Sequence, residues 1–161
     1  MSRENSSISP LDSVRIPEFR LYIIQRFFFI MAVRMMGTIV LFKMTTLTDD
    51  PLLVAFLGLS EAVPAISLAL YSGHVVDRSD KRTLLFRTIL LYICCAGGLL
   101  FVTLPHIQES MGKSFVQYSM YAFIFCTGVI RAFSGPTSAS ILAQLVPKNI
   151  LPNAVTWSSG T

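Results

Sequence analysis

Long apolar runs, separated by short polar turns, are the feature that most limits the folds open to this chain. The runs cover residues 21–44, 52–76, 83–104 and 114–146. As a helix, the first run alone would extend about 36 Å, which exceeds the roughly 30 Å thickness of a bilayer core. The pattern therefore predicts an all-α integral membrane protein with four transmembrane spans, the fourth run being long enough to project beyond the membrane.

Composition supports the same class. The chain has 161 residues, of which 53% are hydrophobic and 14% are charged, whereas a soluble domain carries about 25% charged residues. A soluble fold of this size could not cover so much apolar surface, so a soluble enzyme and a disordered chain are excluded. The net charge of +4 is spread over separate turns, so we expect a lipid bilayer as partner and no nucleic acid.

Prolines mark the ends of the runs. Asp50 before Pro51 is typical of an N-cap followed by the first helical residue, and the start of a fifth helix is predicted near residues 151–154. Two further prolines, Pro64 and Pro136, lie inside runs, where a kink is tolerated. We therefore divide the chain into a cytoplasmic N-terminal tail, residues 1–20, and a partial N-terminal transmembrane bundle, residues 21–161, with residues 17–20 as the foot of the first helix.

Basic residues predict the orientation. The tail and the turns after the second and fourth runs carry Arg3, Arg15, Arg20, Arg78, Lys81, Arg82 and Lys148, and Arg87 lies at the edge of the turn after the second run. The opposite side carries Asp49, Asp50 and Glu109, with Lys113 and, at the border, Lys43. Because cytoplasmic loops are rich in Lys and Arg, we expect a cytoplasmic N-terminus. The membrane expected is the plasma (inner) membrane.

The most specific motif lies between the second and third runs. It has the pattern Gly-x-x-x-Asp-Arg-x-x-Lys-Arg, formed by Gly73, Asp77, Arg78, Lys81 and Arg82. The motif resembles the signature loop of the major facilitator superfamily of secondary transporters, although Asp80 stands where the family pattern has a second glycine. Residues 128–136, which include Arg131, are similar to the fourth span of drug and siderophore exporters of that superfamily, and residues 145–154 resemble their link into the fifth span.

The resemblance implies a twelve-span fold of two halves, to which this chain contributes four spans and the start of a fifth. We therefore expect a fragment that lacks the C-terminal half of the same transporter. The implied function is alternating-access transport, with proton-coupled efflux of a small amphipathic molecule. Asp77 would meet the positive N-terminus of a helix in the other half, and Gly73 would allow close helix approach; alternatively, the basic loop only sets topology.

Three charged residues inside the runs are candidates for the substrate or proton pathway: Arg34, Glu61 and Arg131. Arg34 follows Leu21 by 13 residues and Glu61 follows Leu52 by 9 residues, which places both near the same depth, so antiparallel spans could pair them. They would then either line a central cavity, with Glu61 exchanging a proton, or form a static pair. By the resemblance, Arg131 would face the cavity or support the Asp77 network; alternatively, carbonyl groups satisfy it. Arg26 is expected to reach the inner surface.

Two other functions fit the runs without the resemblance. The chain could be a complete four-span scaffold or assembly protein without transport activity, or a small four-span exporter, although the first run lacks the acid expected of the latter. Nothing resembles a Walker loop, a catalytic triad or a zinc site, so neither an enzyme nor a cofactor is expected. The three cysteines, Cys94, Cys95 and Cys126, are interpreted as small buried apolar side chains.

Overall fold

α-Helices form every regular element in the part of the chain that the computed structural model describes, residues 16–147 and 150–160. In chain order they are α1 (Pro17–Leu47), α2 (Pro51–Ser67), α3 (Ala69–Arg78), α4 (Lys81–Thr103), α5 (Pro105–Met111), α6 (Lys113–Leu145) and α7 (Leu151–Gly160). The expected all-α class is therefore confirmed. Residues 1–15 of the expected tail lie outside the described residues, and so does Lys148.

The number of membrane spans is confirmed only in part. Helices α1 and α4 are long and apolar enough to cross a membrane. Helices α2 and α3 form a third span if the pair, bent by 51°, crosses as one; the bend lies at Leu68, one turn beyond Pro64. Helix α6 is longer, at 33 residues, but Arg131 and several hydroxyl side chains lower its hydropathy. It is therefore not among the helices that are apolar enough to count as a span.

The helix ends follow the predicted signals with one exception. Asp50 caps α2 by accepting the N–H of Leu52 at 2.9 Å, and Pro51 is the first helical residue. The exception is the polar segment between the third and fourth apolar runs, which was expected to be a short turn. It forms the short helix α5, and the chain then reverses at Gly112 with φ of 82°, a left-handed conformation that favours glycine.

Helix α6 is the central element, since it packs against each of the other six helices. One apolar cluster lies where α1, α2, α4 and α6 meet, and includes Val40, Met44, Leu57, Leu99 and Met120. A second joins the start of α1 to the end of α6 and to α7, through Phe19, Tyr22, Leu142 and Ala154. The two clusters therefore attach α1 to α6 at both ends.

The contact between α2 and α6 is closest at Gly128. A Cβ atom added to Gly128 would overlap the backbone carbonyl of Glu61 and would lie 2.7 Å from Cγ of Pro64. Small residues allow this kind of close packing between membrane helices. Gly73, which is also predicted to allow close helix approach, makes no such contact within the described chain, because an added Cβ there meets nothing within 4 Å.

Three tyrosine hydroxyls bind α6 to its neighbours. Each connects α6 and another helix by donating to a backbone carbonyl. The bonds are Tyr22 to Ser138 (2.9 Å), Tyr92 to Thr127 (3.4 Å) and Tyr121 to Leu53 (2.6 Å). Hydrogen bonds between membrane helices contribute about 0.6 kcal/mol on average, so their main consequence here is a fixed axial register of α1, α2 and α4 against α6.

We expect Gly128→Ala to lower the free energy of unfolding by about 1–3 kcal/mol, because the added methyl group overpacks the contact with α2. The matched control is Gly97→Ala in α4, where an added Cβ meets nothing within 4 Å. The control is expected to keep or slightly raise stability, since alanine favours the helix by about 1 kcal/mol over glycine. Unfolding of both variants in detergent checks this, and equal stabilities would contradict the proposed contact.

Candidate functional site

A cavity of about 550 Å³ lies between α1, α2, α4 and α6. One face of α1 forms a wall, because its lining residues recur at three- and four-residue intervals, the spacing of one helical face. This wall includes Arg26, Phe29, Ile30, Val33 and Arg34. The other helices contribute Glu61 from α2, Tyr92 from α4, and Arg131 and Ser134 from α6. The cavity thus combines apolar and charged groups within the bundle.

An ion pair joins α2 and α6 at this cavity. Nη1 of Arg131 donates a hydrogen bond to Oε1 of Glu61. The two side chains are 50% and 33% exposed, so the pair remains accessible from the cavity. Glu61 and Arg131 also line a second cavity, of about 330 Å³, with Gly58 and Ala65. The pair therefore lies where two cavities adjoin.

The expected pairing of Arg34 with Glu61 is wrong. Both residues line the same cavity, but Glu61 pairs with Arg131 instead. The reason is the close approach at Gly128, which brings α6 against the backbone of Glu61 and so places Arg131, three residues further along α6, beside that carboxylate. Arg34 lies across the cavity on α1. The structure thus brings together all three predicted pathway residues, Arg34, Glu61 and Arg131, with a different pairing.

Arg26 belongs to the same cavity, which the sequence interpretation missed. Its expected position was the inner surface, but it lines the cavity wall. Its Nη1 donates to the hydroxyl of Tyr22 at 3.4 Å, and its Nε is buried and has no hydrogen-bond partner within the described residues. The signal that could have found it is the eight-residue interval to Arg34, which places both arginines on one helical face.

The aromatic part of the cavity wall is fixed by a ring contact. Phe29 of α1 meets Tyr92 of α4 edge to face, with ring centroids 5.2 Å apart. Edge-to-face contacts are a favoured geometry for aromatic pairs. The preceding residues Phe27 and Phe28 are exposed on the bundle surface. The three consecutive phenylalanines therefore divide between two cavities: Phe29 lines this one, whereas Phe27 and Phe28 line another that includes Thr156 of α7.

The motif between α3 and α4 is mostly helical. Gly73, Asp77 and Arg78 lie in α3, whereas Lys81 and Arg82 begin α4. Asp77 was expected just beyond a helix end, but it lies in the last turn of α3. Its side chain is exposed and has no ion-pair or hydrogen-bond partner among residues 16–147 and 150–160. The motif therefore presents a free carboxylate beside three basic residues.

Asp80 occupies the position of the second family glycine without backbone strain. Its φ is −66° and its ψ is 112°, an extended conformation that any residue adopts. Its carboxylate accepts a hydrogen bond from the hydroxyl of Thr83 at 2.6 Å, and this bond lowers the pKa of Asp80 from its ordinary value. Asp80 thereby begins α4 with a negative charge near the positive end of the helix dipole.

The cysteines and the metal-binding side chains offer no second site. Only Cys95 is buried as expected, because Cys94 and Cys126 are exposed. All three are free thiols. The described part of the chain holds no group of three or more His, Cys, Asp or Glu side chains that could bind a metal ion. The charged cavity between α1, α2, α4 and α6 is therefore the candidate functional site.

Comparison with protein families shows a match over most of the chain. The family model MFS_3, described as transmembrane secretion effector, matches residues 8–160. The match includes the motif between α3 and α4 and all the charged residues of the cavity. No curated protein and no solved structure is significantly similar to the chain.

The hydrogen bond at the start of α4 predicts a measurable pH dependence. Because the pKa of Asp80 is lowered in the folded state, this bond contributes stability above the unfolded pKa of about 3.9, and the contribution is lost as the pH falls through the folded pKa. We expect Thr83→Val to raise the pKa of Asp80 toward its ordinary value, as measured by carboxyl carbon NMR in micelles. Thr45→Val, whose hydroxyl bonds the carbonyl of Phe42, is the control; equal effects would contradict the assignment.

Proposed function

The chain belongs to the MFS_3 family of transmembrane secretion effectors, which confirms the expected major facilitator resemblance, and from this membership we propose that it is part of a secondary transporter working by alternating access. Membership of this family, together with the apolar helices, indicates a membrane-embedded transporter of small molecules rather than an enzyme. The observation that carries the proposal is the charged cavity between α1, α2, α4 and α6. Transporters of this type bind substrate near the membrane midplane between two halves.

The lining favours a small amphipathic substrate. Phe29, Ile30 and Val33 offer an apolar wall, and Arg34 lies beside them on the same helix. The volume of about 550 Å³ falls in the range of ligand pockets, about 300–1,000 Å³. We propose export from the cytoplasm across the plasma membrane, with the N-terminus cytoplasmic, in keeping with the resemblance to exporters and the basic turn at Arg78, Lys81 and Arg82.

Proton coupling is assigned to Glu61. Glu61 is the one acidic residue that lines the cavity within the described chain. A proton on its carboxylate would remove the charge that holds Arg131, so the α2–α6 ion pair would open. Ionisable residues inside membrane segments commonly mark proton relays. Proton binding would then change the charge of the cavity and the contact between two helices in a single step.

The conformational gate is assigned to the motif that contains Gly73, Asp77, Arg78, Lys81 and Arg82. The exposed Asp77 carboxylate, without a partner in the described residues, is available for the N-terminus of a helix in a second half of the same transporter. This contact would form in one conformation and break in the other. The neighbouring basic side chains would keep this end of α3 and α4 at the cytoplasmic surface.

Substrate-induced proton flux tests the coupling. The full transporter is reconstituted in vesicles containing a pH-sensitive dye, and biphenyl compounds of different permanent charge are added as probes. We expect Glu61→Gln to abolish the dependence of flux on pH, because the amide cannot take up the proton. Glu109→Gln in α5, an exposed acid outside the cavity, should behave like the unaltered protein. Transport that remains dependent on pH in Glu61→Gln would refute the assignment.

The gate is tested by Asp77→Asn. We expect transport of the probes to slow about tenfold, since a carboxylate at a helix N-terminus contributes up to about 2 kcal/mol in a partly buried contact, whereas probe affinity should stay unchanged. Asp49→Asn, an exposed acid in the turn between α1 and α2, serves as the control. Unchanged transport by Asp77→Asn would leave the motif with a role in topology only.

A further inference from the structure

The charges of the cavity do not balance, and the imbalance points to the chemistry of its ligand. We propose that the cavity binds an amphipathic anion, whose negatively charged groups (carboxylate, sulfonate or phosphate) are held by Arg26 and Arg34. This inference rests on the proposed transport function and specifies its substrate class. Arg26 and Arg34 both lie on α1, and the Glu61–Arg131 pair leaves their charges uncompensated within the described chain.

Three arginines and one glutamate line the cavity within the described chain: Arg26, Arg34, Arg131 and Glu61. The carboxylate of Glu61 is bound to Arg131. The two guanidinium groups of α1 therefore have no acidic partner among the residues that the structure describes. A charge inside a bilayer is costly, about 2.5–3.5 kcal/mol on insertion scales, unless a partner or a wet cavity compensates it.

The hydrogen-bonding capacity of these arginines is largely unused. A guanidinium carries five N–H donors and no acceptor. Arg26 makes one long bond to Tyr22, and its buried Nε has no partner in the described chain. Arg34 makes no side-chain hydrogen bond to any other residue of the described chain. Oxygen atoms of an anionic group would satisfy these donors, because the fork geometry of arginine matches carboxylate-like groups.

The spacing of the arginines gives the ligand its shape. Arg26 and Arg34 lie on one face of α1, eight residues apart, which corresponds to about 12 Å along the helix axis. Between them lie Phe29, Ile30 and Val33. A rigid apolar body can rest on these side chains while anionic groups at its ends reach the guanidinium groups. We therefore expect a dianion to bind more tightly than a monoanion of the same body.

A phospholipid headgroup carries the same charged chemistry, but its depth differs. Arg34 follows the start of the first apolar run by 13 residues, or about 20 Å of helix. Headgroups lie at the surface of a core that is about 30 Å thick. The position of Arg34 near the midplane thus favours a water-soluble amphipathic anion over an anionic lipid.

Binding of four biphenyl probes to the full transporter in nanodiscs tests the inference. The probes are the disulfonate, the monosulfonate, the neutral methanol derivative and the trimethylammonium derivative. We expect affinity to fall in that order. We expect Arg26→Gln and Arg34→Gln each to weaken disulfonate binding about tenfold, as the loss of a charge-assisted hydrogen bond implies. The control Lys43→Gln, on α1 but outside this cavity, should bind normally.

Different results would contradict the anion site and the transport function. Equal affinity for the neutral and the disulfonate probes, or an unchanged affinity in Arg34→Gln, would overturn the anion site even if the flux assay shows transport. Absence of flux with every probe would contradict the transport function, whereas the affinity order would still decide the anion site. Adding phosphatidylglycerol to phosphatidylcholine nanodiscs should leave disulfonate affinity unchanged; a strong loss would assign the arginines to lipid and overturn the soluble ligand.

Discussion

The close approach of α6 to α2 at Gly128 is the contact on which the site depends. The absence of a side chain lets the α6 backbone lie against the carbonyl of Glu61, and Arg131 then stands one turn away, beside the Glu61 carboxylate. A larger residue at this point would separate the helices and the charges together. The same contact, with the tyrosine bonds of α6, sets the width of the cavity. Packing and electrostatics therefore depend on a single small residue.

The molecule separates fixed contacts from exchangeable ones. The apolar clusters join buried side chains to one another, and the tyrosine hydroxyls donate to backbone carbonyls. Neither the apolar side chains nor the carbonyls change protonation state. The charged groups of the cavity remain partly exposed, so a proton or an anion can compete for them. Asp77 at the end of α3 is likewise exposed. The proposed alternation between two conformations needs this division, because a contact can break at low cost only when another contact of similar energy replaces it.

Much of the fold can be predicted from hydrophobic runs and proline positions. The site depends on which way each helix faces, which these signals do not give. The signals at Asp50 and Pro51 predicted the start of α2, since capping is a local interaction. Counting residues from the ends of runs gave the depths of Arg34 and Glu61 but no facing direction, so the partner of Glu61 was assigned wrongly. Likewise, distance from the membrane surface suggested an interfacial Arg26, while its helical face directs it to the cavity. Within the described chain a close helix contact occurs at Gly128 and not at Gly73, and only tertiary packing distinguishes the two glycines.

The proposed proton and anion sites constrain one another. Protonation of Glu61 would leave Arg131 uncompensated as well, so it would strengthen the binding of an anion in the same cavity. By thermodynamic reciprocity, the bound anion would raise the proton affinity of Glu61. Proton and anion would therefore bind cooperatively in this cavity and would not compete for it. A membrane potential that is negative inside favours outward movement by about 2.3 kcal/mol per 100 mV for each negative charge without a co-transported proton. For an anionic substrate, the potential would thus add to the driving force for export, while Glu61 would couple substrate binding to proton uptake.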